Sequence, residues 1–221
     1  MPFSFLCYQP IDEDVSIDVL TPYAKNHYIT FGSFNNLNKL SATTIRLWSE
    51  ILQKTKGARL LMKSYRNAPD LLKEHLIAQF QSNGISYDRL IFSDSDDKRS
   101  DHLNRYNQVD ICLDTFPYNG TTTTFEALWM GVPVVTLSGI SHHSRVGESI
   151  LTNMALPEMV ARTAEQYVDK AVTLASDKAL LQGFRQNGAL RRRLLSSSLT
   201  DAGRFSLAFE AVLREAWVNY C

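Results

Sequence analysis

From Tyr28 to about Val160, short apolar runs alternate with longer amphipathic runs, and few folds accommodate that order. Strand-like runs lie at 27–34, 58–64, 88–94, 109–115 and 133–139, with a short one around Met159–Val160. Between them stand helical patterns at 41–57, 69–84, 100–108, 122–130 and 144–154. The boundaries carry local signals. Ser41 opens the first helix and Gly57 stops it, while Pro69 and Gly84 bracket the second. Short buried strands alternating with helices give an α/β fold: a parallel sheet with helices on both faces. After residue 163 the strands stop. The segments 163–177, 178–197 and 201–220 read as three helices, a helical C-terminal tail. Residues 1–28, with Pro2, Pro10, Pro22 and the acidic patch Asp12–Glu13–Asp14, read as an irregular linker or inter-domain arm, and a compact domain occupies 29–221.

In such a sheet, ligands sit at the carboxyl ends of the strands. That rule singles out the loops after about Phe34, Ser64, Ser93, Asp114 and Leu137. The most informative is the run FPYNGTTTTFEALWMGVPVVTL (116–137). It reads as a strand exit, a tight turn at Gly120, four threonines and a helix ending at Gly131. Hydroxyls and free backbone N–H groups at a helix start attract anions. Glu126, one to two turns further on, can meet a sugar hydroxyl. The turn is neither GxGxxG nor GxxxxGK[ST], which disfavours a nicotinamide dinucleotide and excludes a P-loop.

GSFNNLNKLS (32–41) places Lys39 next to a helix start. One lysine there can neutralise phosphate charge, or it is a surface lysine beside a cap. Asn35, Asn36 and Asn38 are turn formers or polar ligand contacts. In DHLNRYNQVD (101–110), His102 and Arg105 share a helix face, and the arginine can stack on a base or reach a phosphate. Asp114 ends the next strand, in a structural role or lining the ligand edge. His142 and His143 precede a helix start near Ser144, and adjacent histidines make a poor metal pair. Arg145 either reaches the site or forms an internal ion pair.

Composition narrows the partners. Twenty-three basic and 23 acidic residues balance to a net charge of +0, leaving no electrostatic footprint for nucleic acid. The basic run at 191–193 reads as a solvated helix face. Cys7, Cys112 and Cys221 are far apart, show no zinc spacing, and fit a reducing cytoplasm. No apolar run is long enough to span a bilayer.

Taken together, FGSFNNLNKLS, DHLNRYNQVDICLDTFPYNGTTTTFEALWMGVPVVTL and SHHSRVGESIL resemble the bacterial protein O-linked N-acetylglucosamine transferases and the plant Spindly type. These are tetratricopeptide-repeat glycosyltransferases with a GT-B architecture of two Rossmann-like halves. The resemblance covers almost the whole chain and implies its C-terminal, nucleotide-sugar-binding half. It implies transfer of N-acetylglucosamine from UDP-GlcNAc to Ser or Thr of protein acceptors, with inversion and no metal. It also implies an N-terminal catalytic half and repeats as partners, and an isolated chain that does not turn over. Position by position, Lys39 matches the diphosphate lysine needed for catalysis and His102 the histidine beside the donor; these are the catalytic candidates. Asn36 matches a polar position by the phosphates, Arg105 the arginine packed on uridine, and Thr122 and Thr123 the phosphate-holding pair. Thr121 replaces a histidine of the animal enzymes, and Glu126 replaces the aspartate that holds the ribose. The alternatives are another donor, GDP-fucose or UDP-glucose, or a nucleotide-binding module without transfer activity.

Overall fold

A computed structural model describes residues 4–10, 15–63 and 68–221. Pro2, the acidic patch at 12–14 and the strand-end residue Ser64 therefore lie outside the described residues. A short helix, α1 (Pro22–Asn26), precedes β1 (Thr30–Ser33), α2 (Ala42–Lys54), β2 (Arg59–Lys63), α3 (Asp70–Ser82) and β3 (Leu90–Ser93). Then follow α4 (Arg99–Asn104), β4 (Ile111–Leu113), α5 (Thr122–Trp129), β5 (Val134–Leu137), α6 (Val146–Asn153) and β6 (Val160–Ala161). Four helices close the chain: α7 (Ala164–Ser176), α8 (Lys178–Arg185), α9 (Ala189–Leu195) and α10 (Ala202–Tyr220).

The six strands form one parallel sheet in the order β3-β2-β1-β4-β5-β6. This Rossmann-like order reverses between β1 and β4, so the loops leaving those two strands diverge to opposite faces and open a crevice. Helices α2, α3 and α7 cover one face, and α5 and α6 the other. Apart from the edge strand β3, where only Leu90 is buried, the strands are buried on both sides, which is why they read as continuous apolar runs rather than alternating ones. Phe31, Trp48, Ile51, Leu60, Tyr106 and Tyr167 sit fully buried around the sheet.

Local chemistry sets the ends of these elements. Ser41 accepts from the Thr44 N–H at 3.1 Å at the start of α2, and Gly57 adopts φ +73° after it. Gly131 ends α5 at φ +74°. Three expected helices are changed. The 100–108 helix tightens after Asn104 into a 3-10 turn, Arg105–Gln108, in which Tyr106 is buried with its ring 4.2 Å from that of Phe34. The 144–154 helix has a 3-10 turn, His142–Ser144, ahead of its start at Val146. The 178–197 helix breaks because Asn187 (φ 52°) and Gly188 (φ 63°) take left-handed backbone, the conformation these two residue types tolerate best.

The described residues before β1 are less irregular than the prolines of this stretch suggest. Thr21 caps α1, and the Tyr23 and Thr30 N–H groups both donate to the buried Asp110 carboxylate at 3.0 and 2.8 Å. Tyr8 stacks on Phe125 at 4.5 Å and donates its N–H to the Leu199 carbonyl at 2.7 Å. α10 is the opposite case: all of its residues but Phe205 and Ala208 are exposed and none is buried, with Leu207, Phe209, Leu213, Trp217 and Val218 open to solvent. Among the described residues, no helix is long and apolar enough to cross a membrane.

Candidate functional site

The turn that enters α5 is built on one buried carboxylate. Asp114, at the end of β4, accepts from the backbone N–H of Thr115 (2.9 Å) and Gly120 (2.7 Å) and from the Thr136 hydroxyl (2.7 Å). Burial pushes its pKa up to about 6, against the hydrogen bonds and the nearby charge of Lys39. Gly120 makes this turn possible. A Cβ there would meet Thr123 Oγ1 at 2.6 Å, Thr124 Oγ1 at 2.9 Å and Asn35 Oδ1 at 3.0 Å. The threonines divide the work. Thr124 donates to the Gly120 carbonyl at 3.1 Å and Thr123 to Asn35 at 3.0 Å, so both hydroxyls brace the turn. Thr122 is exposed, and Thr121 stands at the N-cap without a side-chain cap bond. The first-turn N–H groups of a helix have no intrahelical acceptor, so this end can accept an anion.

A cleft of about 580 Å³ opens beside the helix start, lined among others by Phe34, Lys63, Asp96, His102, Thr122 and Glu126. Glu126 is buried and faces three donors. His102 Nε2 lies 3.0 Å from its Oε2, the Tyr106 hydroxyl 3.4 Å from the same oxygen, and Arg99 Nη2 3.3 Å from Oε1. On its other side His102 Nδ1 lies 2.8 Å from Lys63 Nζ. An ammonium can only donate, so Nδ1 is the acceptor and Nε2 carries the proton given to Glu126. Lys63, only 2% exposed, also pairs with Asp96 at 3.4 Å. Asp96 in turn accepts from Arg105 Nε (3.1 Å) and Nη2 (3.0 Å). Burial alone would raise the Asp96 carboxyl; Arg105 and Lys63 outweigh it and hold it below the ordinary value.

Of the sequence candidates, His102, Thr122, Thr123 and Glu126 thus meet in one cleft, and Arg105 joins its wall through Asp96. Lys39 reaches the α5 turn instead: its Nζ donates to the Asn119 carbonyl at 3.1 Å. Partial burial lowers its pKa, opposed by the Asp114 charge. Asn36 is exposed and accepts from the Asn38 N–H at 3.0 Å, the turn-forming role. Arg145 pairs with Glu148 at 3.7 Å, an internal ion pair. Lys63, Asp96, Arg99 and Tyr106 were not singled out from the sequence. Only Lys63 carried a usable signal, a lysine closing an apolar strand at the ligand edge.

The sequence profile described as glycosyl transferase family 41 matches residues 14–208. A barley protein described as a probable UDP-N-acetylglucosamine–peptide N-acetylglucosaminyltransferase SPINDLY is 38% identical over all of this chain, which covers 23% of that protein. A Caenorhabditis elegans UDP-N-acetylglucosamine–peptide N-acetylglucosaminyltransferase is 33% identical over 87% of the chain and 16% of its own length. The chain thus spans about a quarter or less of the relatives it matches. A Thermobaculum terrenum O-GlcNAc transferase mutant superposes with a TM-score of 0.84 at 34% identity, covering 95% of this chain and 39% of that one. A Thermosynechococcus elongatus sucrose-phosphate synthase, at TM-score 0.60 and 16% identity, shares the fold alone.

Proposed function

The chain belongs to glycosyl transferase family 41, and from that premise we propose that it is the donor-binding half of an inverting, metal-independent protein glycosyltransferase. The donor we assign is UDP-GlcNAc, the sugar nucleotide for which its relatives are named. The observation that carries this reading is the single cleft at the strand-order reversal, where the open start of α5, Glu126 and His102 converge.

In this reading the diphosphate lies on the α5 N-terminus at Thr122 and Thr123, with Thr121 at its edge. Lys39 adds the full positive charge that stabilises the leaving UDP as the glycosidic bond breaks. Without a metal, these groups carry the charge neutralisation. Glu126 has three of its roughly four acceptor sites engaged, which leaves room for a ribose hydroxyl. Asp96 fixes the Arg105 guanidinium plane as a surface for the uracil ring. His102 holds Glu126 and faces the donor. Asn36, at the mouth of the β1 loop, meets the phosphates from outside. The acceptor-side groups belong to an N-terminal catalytic half preceded by tetratricopeptide repeats; residues 1–28 connect to it and the apolar face of α10 docks against it.

The test is calorimetry on the isolated chain. UDP binds, GDP binds at least tenfold more weakly, and Lys39→Ala removes most of the UDP affinity; the chain alone transfers no sugar to peptide. Turnover by these residues alone, or equal affinity for the two nucleotides, would overturn the assignment.

A further inference from the structure

We propose that Tyr118 is a positioning residue for Lys39: its ring holds the ammonium against the α5 turn and ties it to the loop after β5. The inference rests on the reading of Lys39 as the diphosphate contact. Lysine is a flexible point charge, and a useful phosphate contact requires that its rotamer freedom be restrained. Here two neighbouring residues restrain it. Lys39 Nζ lies over the Tyr118 ring, 4.1 Å from its centroid, while donating to the carbonyl of the next residue, Asn119. The same pair reaches the loop after β5. The Tyr118 ring stacks with His143 at 5.6 Å and 20°, and the Asn119 N–H donates to the His143 carbonyl at 3.0 Å. Core packing does not account for the tyrosine, because it is 51% exposed. Its backbone is independently fixed by the Thr115 hydroxyl, which donates to the Tyr118 carbonyl at 2.6 Å. The ring is therefore presented on a rigid turn to one cation on one side chain. An ammonium over a phenol ring is attracted by the ring's quadrupole, and more so where water is partly excluded, as at half-buried Lys39.

The experiment uses the full chain with its lysines reductively dimethylated with carbon-13, which keeps their charge. The Lys39 signal is assigned by its loss in Lys39→Arg. It is expected upfield of the other lysines from the ring current of Tyr118, retained there in Tyr118→Phe and shifted to the ordinary position in Tyr118→Leu. UDP affinity should fall roughly three- to fivefold in Tyr118→Leu and stay within twofold in Tyr118→Phe, the size of a partly shielded cation–π contact. An unshifted Lys39 signal in the unmutated chain overturns the proposal with no variant needed. So does Tyr118→Leu binding UDP normally while Lys39→Ala binds it weakly; in that case only the role of Tyr118 fails. If Lys39→Ala itself leaves UDP affinity unchanged, the reading of the site fails, and the role of Tyr118 with it.

Discussion

His102 Nε2 lies 3.0 Å from Glu126 Oε2, so the residue nearest the proposed ribose position is oriented by one that the sequence places 24 residues earlier. The contact makes Glu126 a structural anion as well as a ligand. Replacing it with alanine strands the buried Tyr106 hydroxyl and the part-buried His102 ring, while exposed Arg99 can turn to water, and should cost about 1–3 kcal/mol. Glu126→Gln keeps the shape and should cost less. The chemical role is read by comparing UDP with 2′-deoxy-UDP. The unmutated chain should prefer UDP by about tenfold, one hydrogen bond to a charged acceptor, and the Gln variant should lose most of that preference. Equal binding of the two nucleotides by the unmutated chain would remove Glu126 from the ribose.

Gly120 is required by close approach rather than by its backbone angles. In Gly120→Ala the new methyl must displace Thr123 and Thr124 Oγ1 and Asn35 Oδ1, all within 3.0 Å of where it would lie. Overpacking of this kind costs about 1–3 kcal/mol, and the displaced atoms are those that brace the anion site. Thermal melting should report the first effect and UDP calorimetry a loss of more than tenfold. A variant that melts normally and binds UDP would mean the turn has slack that the structure does not show.

Asp114 gives a pH signature. Its carboxyl sits at about 6 when folded, against 3.8 ordinarily, so between these values the folded chain holds more protons than the unfolded one. The contribution of Asp114 to stability is therefore full below about pH 4 and is lost as pH rises through 6, by at most about 1.4 kcal/mol per pH unit. Asp114→Asn should be less stable overall, since one carbonyl oxygen cannot serve the three donors. It should also lack this slope. Other carboxylates titrate in the same range, so the quantity to measure is the difference between the two denaturation curves across pH 4–6.5. A constant difference would contradict the buried, raised carboxyl.

How much of this was legible beforehand follows from what is local. The parallel sheet could be read because its central strands are buried on both faces and several helix ends carry their own signals: Ser41, Gly57, Gly84, Gly131. The α5 turn could be read because Gly120 and the threonines lie within five residues. Lys63 could not. A lysine in an apolar strand is affordable only because His102 and Asp96, more than 30 residues away, meet its ammonium, and one sequence does not reveal that pairing. The break at Asn187–Gly188 was written in the residues themselves but was masked by the helical pattern on either side.

The Asp96–Arg105 pair yields the most selective test. Asp96 receives two bonds from the arginine and the charge of Lys63, so it fixes the guanidinium while touching no proposed phosphate position. Asp96→Asn keeps an acceptor but weakens both pairings. If Arg105 packs on uracil, this change should loosen the base contact and leave the phosphates alone. UDP affinity should drop about three- to tenfold, the range of a partly exposed cation–π or charged hydrogen-bond contact. Inorganic pyrophosphate, which has no base, should bind the variant and the unmutated chain alike. Arg105→Ala should reproduce the pattern, and Lys39→Ala should invert it by weakening both ligands. An equal loss for UDP and pyrophosphate in Asp96→Asn would instead assign Arg105 to the phosphates.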